Sequence, residues 1–255
     1  MALIAAGQVV ASNPVHALPA HVELAGALAF VLGVVATPRT AVSAFAVDAL
    51  AVLAVVVVAH VPVTTFLRRL VIEAPFVAFA LLLPFVARGP QVAVGPFELS
   101  VDGLWAGWGI LVKGTLGVGV AVLLSSTTSS TDLLGGAQRL RVPVVFVAIA
   151  SFMVRYGAVL VGEVERLRVA RISRGDDPRW LWQARSVATT AGALFVRSFE
   201  RGERVHLAMV SRGFDGSWPR GDEVPAPASA WLAAGTFAAV SIVGAVVALA
   251  SAGMA

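Results

Sequence analysis

The stretch from Ala228 to Ala250, ASAWLAAGTFAAVSIVGAVVALA, contains no Asp, Glu, Lys or Arg. A helix rises about 1.5 Å per residue, so a run of this length covers the roughly 30 Å hydrocarbon core of a bilayer. That reading decides the class of the chain, and the composition agrees with it. Of 255 residues, 58% are hydrophobic and only 13% charged, where an average soluble domain carries about 25% charged residues. An ordinary soluble enzyme, a disordered chain and a free nucleic-acid binder are thereby excluded. The expected fold is all-α, an integral membrane helical bundle.

Working back from that run, four more apolar segments read as spans: Leu24 to Ala36, Ala41 to Val63, Leu70 to Ala87 and Leu104 to Leu124. The segment Val142 to Val161 is apolar enough to cross, but Arg155 lies inside it and Glu163 follows. It either spans or lies at the membrane face. Ser186 to Val196 is too short to span alone.

Charge is concentrated. Fourteen of the 19 Lys and Arg residues and ten of the 15 acids lie between Ser125 and Pro227. By the positive-inside tendency this segment is cytoplasmic. Counting back places Arg68 and Arg69 inside, Arg39 and Arg88 outside, and the N-terminus inside. The opening MALIAAGQVVASNP has no Lys or Arg before its apolar residues, which argues against a cleaved signal peptide. The expected organisation is an N-terminal membrane bundle (1–124), a charged membrane-proximal segment (125–227) and a C-terminal membrane helix (228–255).

Ionisable residues inside spans are costly and are functional candidates by default. Asp48, Glu73 and Lys113 are in that position. The bland alternative is that Asp48 lies near a helix end or pairs across the bundle with Lys113. Gly103 and Gly107 have the small-xxx-small spacing that lets helices approach closely. Asp132, after a Ser/Thr-rich run, is a helix N-cap candidate.

The charged segment carries an internal repeat. ERLRVARISRGDD begins at Glu165 and ERVHLAMVSRGFD at Glu203, a constant offset that matches Ser173, Arg174 and Gly175 with Ser211, Arg212 and Gly213. Asp177 is likewise matched with Asp215. Each copy reads as a helix stopped by its glycine, which adopts the left-handed conformation cheaply. Leu160, Val164, Leu167, Arg171 and Arg174 fall on one stripe of the first helix, and Val205, Ala208 and Arg212 on one stripe of the second. A single terminal arginine is explained by the helix dipole. Two copies of the same Ser-Arg-Gly end suggest a pair of docking tips.

These SRG ends resemble those of the transmembrane T component of energy-coupling-factor transporters, and of its CbiQ group in particular. So do LLSSTTSSTDLLGGAQRLRVP (Leu123 to Pro143), VRSFERGERVHLAMVSRGFDG (Val196 to Gly216) and HALPAHVELAGALAFVLGVVATPR (His16 to Arg39). The chain departs from the family in having Ala17 and Glu23 where basic residues are frequent, and Ser-Arg-Gly where Ala-Arg-Gly is common. The resemblance implies a multi-pass cell-membrane protein that is not an enzyme. It would link two cytoplasmic ABC-type ATPase subunits to a small substrate-binding membrane subunit, in a cobalt or nickel importer. It also implies that Ser173, Arg174, Gly175, Ser211, Arg212 and Gly213 contact the ATPases, through coupling helices that insert into their grooves. An Arg fork suits that role, because it bonds carboxylates bidentately and stays charged.

Other chemistry finds little purchase. There is no cysteine, and no G-x-x-x-x-G-K-[ST] loop for a nucleotide. GTLGVGV, from Gly114, lies in a membrane run and lacks the Lys-Ser/Thr. The histidines His16, His21, His60 and His206 include no i,i+4 pair, so no metal or other cofactor is expected on this chain; His16 and His21 could meet only through a loop. Nucleic acid is not an expected partner, whereas the lipid bilayer is. A stand-alone secondary transporter should show repeated membrane halves, and the repeat here lies in the charged segment. A membrane-embedded enzyme should show clustered Asp, Glu or His, and no histidine lies near Ser125 to Ser130.

Overall fold

A computed structural model of the chain describes residues 18–61, 71–94, 97–176, 184–214 and 225–252, together with Thr64 and Arg68. The chain divides into two compact units, residues 1–140 with 224–255, and residues 141–223. Among the described residues all long elements are helices: α1 (Ala20–Ala36), α2 (Val42–Val58), α3 (Ala74–Val86), α4 (Val101–Thr127), α5 (Ser130–Arg139), α6 (Val144–Ile172), α7 (Ala184–Val210) and α8 (Ala228–Ala252). The protein is a helical, multi-pass membrane protein. Among the described residues three helices, α4, α6 and α8, are long and apolar enough to cross a bilayer unaided.

The segment Val142 to Val161, left open by the sequence, belongs to α6, a helix of 29 residues. α1 and α2 are shorter, with 17 residues each, or about 26 Å at the standard rise. The expected span Ala41 to Val63 is helical only to Val58, because His60 takes a left-handed φ of 52° and turns the chain; Pro62 and Val63 lie outside the described residues. In the run from Leu70 to Ala87, a 3₁₀ turn, Val71–Glu73, precedes α3. Pro75 sits at the start of α3, where no amide partner is lost.

The first unit also contains a short β-ribbon. Strands β1 (Gln91–Val94) and β2 (Phe97–Ser100) form an antiparallel ribbon with Gln91 opposite Ser100. Ser100 then caps α4, its Oγ accepting from the Gly103 amide at 3.3 Å. Ser129, not Asp132, is the N-cap of α5: its Oγ accepts the Asp132 amide at 3.2 Å and donates to Asp132 Oδ2 at 2.5 Å. Asp132 is the third helical residue, the place of the carboxylate in a capping box.

Small residues set the packing of the first unit. A Cβ on Gly103 or Gly107 would stand 2.6 Å from the Leu83 or Ala80 carbonyl oxygen, so α3 and α4 run antiparallel in close contact, as the small-xxx-small spacing indicates. Gly26 meets Ala234 and Gly33 meets Ser241; equal steps of seven residues along both helices make α1 and α8 parallel. Phe30 and Phe237 stack between them, centroids 4.3 Å apart. Phe30, Phe45, Val52, Val56, Val120 and Leu123 belong to the buried core that joins α1, α2 and α4.

Polar contacts cluster at the two ends. Arg39, after α1, lies 3.8 Å from Asp102 at the start of α4. At the other end Glu23 accepts from Thr127, 2.5 Å away, and from Thr128. Residues 130–139 form α5 and pack on α1 within this unit.

The second unit contains α6 and α7. Glu163 Oε1 of α6 accepts from Arg197 of α7 at 2.9 Å, and Arg171 of α6 donates to Thr190 of α7 at 3.3 Å.

Candidate functional site

α6 and α7 end in the same way. The Gly175 amide donates to the Ile172 carbonyl at 2.9 Å, and the Asp176 amide to the Arg171 carbonyl at 3.1 Å. In the second copy the Gly213 amide donates to Val210 at 2.9 Å, and the Phe214 amide to Met209 at 3.0 Å. This pair of bonds is the Schellman closure, which satisfies carbonyls that a helix end otherwise leaves open. It requires a left-handed residue, and φ is 78° at Gly175 and 85° at Gly213. A Cβ on either glycine would meet nothing within 4 Å. The glycines are therefore needed for backbone conformation and not for space.

The closure sorts the two polar side chains of each motif. Ser173 Oγ turns back to the Val169 and Ala170 carbonyls at 3.0 and 3.1 Å, and Ser211 Oγ to Ala208 at 3.0 Å. Arg174 and Arg212 are exposed. Among the described residues neither guanidinium has a hydrogen bond or ion pair, so each keeps its donors for something else; the backbone amides donate to Arg171 and Met209 within the turns. Asp177 and Asp215 lie outside the described residues.

The copies are not identical. Arg171 is half-buried, donates to Thr190 and lies 3.4 Å from Asp176 Oδ2; its counterpart in the repeat, Met209, carries no charge. The stripe read from the sequence also shifts. Val164 is exposed, while Glu163 is largely covered and bonds both Arg166 and Arg197. Sequence reasoning missed Glu163 as a contact residue, although its i,i+3 spacing to Arg166 was a signal.

α7 has a second apolar face that its own unit leaves open. Phe195, Val196, Phe199, Leu207 and Val210 are between 49% and 70% exposed. Leu194, Ser198, Arg201, Val205 and Met209, at helical steps on another side, are partly covered.

The charged residues inside spans have structural partners. Asp48 is buried and does not pair with Lys113. Its Oδ2 lies 3.4 Å from Ser241 Oγ of α8, and its Oδ1 has no partner. Lys113 instead donates to the Val35 carbonyl at 2.7 Å, which caps the C-terminal turn of α1 and complements its dipole. Buried Glu73 accepts from Thr115 Oγ1 at about 3.0 Å, and a Cβ on Gly114 would press to 2.5 Å from Glu73 Oε1. The first glycine of GTLGVGV thus makes room for a carboxylate. His21 meets the edge of Trp231, centroids 5.8 Å apart, and His16 lies outside the described residues. Among the described residues no three His, Cys, Asp or Glu side chains cluster as metal ligands.

The sequence pattern of the CbiQ family, described as cobalt transport protein, matches residues 11–222. The energy-coupling factor transporter transmembrane protein EcfT of Heliobacterium modesticaldum is 26% identical over 80% of this chain and 81% of its own length. The cobalt transport protein CbiQ of Rhodobacter capsulatus is 28% identical over 64% of this chain and 69% of its own. A putative fused cobalt transport protein, CbiMQ, of Methanocorpusculum labreanum is 30% identical over 47% of this chain. The chain spans only 20% of that fused relative, and 48% of a second archaeal relative, from Methanocaldococcus jannaschii.

Proposed function

The chain belongs to the CbiQ family of cobalt transport proteins, and from that premise we propose that it is the membrane coupling component of an energy-coupling-factor importer for cobalt. In this reading the chain performs no chemistry of its own. Arg174 and Arg212, with Ser173, Gly175, Ser211 and Gly213 shaping their turns, dock in grooves of two cytoplasmic ABC-type ATPase subunits. Residues 125–227 are the coupling segment between the membrane helices of 1–124 and 228–255. The open apolar face of α7 suits a small substrate-binding membrane subunit, which would hold the cobalt.

The observation that carries the reading is the equivalence of the two helix ends. Each has the same backbone closure, a serine hydroxyl bonded back to its own helix and an exposed arginine whose side chain has no partner among the described residues. Paired tips suit a pair of ATPases. The closed turns leave no backbone to order on docking, so only the arginine side chains must be fixed, at about 0.5–1.5 kcal/mol each. When the ATPases close on nucleotide, tips seated in them move with them, and α6 and α7 carry that motion to the membrane.

The test is replacement of both Arg174 and Arg212 by Glu, read by ATPase recovery in a pull-down and by cellular cobalt uptake. Breaking a buried charge pair costs about 3–5 kcal/mol, so recovery and uptake should both be lost while the protein still accumulates in the membrane. Each single replacement should be milder, because the remaining tip keeps the ATPase pair close. Normal recovery and uptake in the double variant would reduce these arginines to helix-end charges.

A further inference from the structure

Two side-chain contacts between α6 and α7 show how the helices run. Glu163 meets Arg197, and further along α6 Arg171 meets Thr190. Residue numbers rise on one helix as they fall on the other, so the pair is antiparallel. The two glycine-closed ends therefore point away from the Glu163–Arg197 contact in opposite directions. At 1.5 Å per residue, Ile172 lies about 14 Å from that contact and Val210 about 20 Å. The contact sits between two long arms.

Glu163 is built for this position. Its side chain is 16% exposed, whereas those of Arg166 and Arg197 are 68% and 56% exposed. One carboxylate oxygen accepts from Arg166 on its own helix at 2.6 Å, and the other from Arg197 on α7 at 2.9 Å. Arg166 thus holds the rotamer that Arg197 meets, and charge-assisted bonds of this kind are directionally demanding. Exposed ion pairs add little to stability, so its effect falls on orientation. An error of about 10° at the contact would displace the end of an arm of about 20 Å by about 3.5 Å.

We propose that Glu163 is the positioning residue that fixes the crossing of α6 and α7, and through it the separation of the Arg174 and Arg212 tips. Its purpose rests on the coupling reading above; its geometry does not. The chain has no cysteine, so Val169→Cys and Leu207→Cys, equivalent exposed positions of the repeat, can carry spin labels in the full chain in lipid nanodiscs. Pulsed electron resonance should give one narrow label-to-label distance. Glu163→Ala should lose that narrow peak, and Arg197→Gln should lose it in the same way. The charge exchange of Glu163→Arg with both Arg166→Glu and Arg197→Glu, which keeps opposite charges at both contacts, should restore it, a rescue that general misfolding would not permit. An unchanged peak in Glu163→Ala or in Arg197→Gln, or a charge exchange that fails to restore it, would overturn the proposal. Normal ATPase recovery in the Arg174/Arg212 double variant would instead remove the coupling reading and leave the crossing intact.

Discussion

Gly33 of α1 and Ser241 of α8 are pressed together so closely that a Cβ on the glycine would stand 2.6 Å from the serine Oγ. The same serine is the hydroxyl partner of Asp48 on α2. One contact therefore ties three membrane helices, with a glycine as the residue that lets it form.

Gly33→Val should destabilise the first unit, since overpacking a tight contact costs about 1–3 kcal/mol. Gly235→Ala is the control, because a Cβ at Gly235 meets nothing within 4 Å and alanine favours the helix by about 1 kcal/mol. Thermal unfolding of the detergent-solubilised protein should fall for the first and hold or rise for the second. Equal midpoints would show that the α1–α8 contact does not limit stability.

Asp48→Leu should be tolerated or stabilising. Asp48 Oδ1 is buried without a partner and Oδ2 has one long contact, and an unsatisfied buried polar group costs about 1–3 kcal/mol. The unfolding midpoint should stay level or rise, with cobalt uptake retained. Lost uptake at full stability would instead make Asp48 part of a transport pathway.

Gly175→Ala and Gly213→Ala should loosen the two helix ends, because a left-handed φ costs an L-residue about 1–2 kcal/mol. The Asp176 and Phe214 amides that close the turns should exchange hydrogen faster, read on peptides that cover each end. Unchanged exchange at both would mean that the closures do not depend on glycine.

Orientation is open to a direct check. Ser173→Cys and Ser211→Cys, introduced singly, should react with membrane-impermeant thiol reagents only from the cytoplasmic side, with the cysteine-free parent as background. Reaction from outside intact cells at either position would reverse the assignment made from the arginine distribution.

What the sequence determined by itself was local. A charge-free run such as Ala228 to Ala250 must be a membrane helix, because a bilayer offers an unpaired backbone nothing else. The two SRG ends could be read as glycine-closed helices, because the signal and the closure lie within six residues of each other. Even the small-xxx-small spacing of Gly103 and Gly107 announced a close neighbour, though not which one.

The tertiary structure decided the partners. Asp48 and Lys113 carry opposite charges in the second and fourth apolar runs, which makes them a natural pair on the sequence alone. Yet Lys113 reaches the open carbonyl of Val35 and Asp48 faces Ser241, residues far along the chain whose approach depends on how helices pack. Periodicity puts Val164 on the contact stripe, but Glu163 holds it, because a helix's rotation about its axis is set by what it meets. Periodicity names a face only up to that rotation. Pairing across helices adds long-range contacts that no local pattern records, and there the crossing of α6 and α7 was settled.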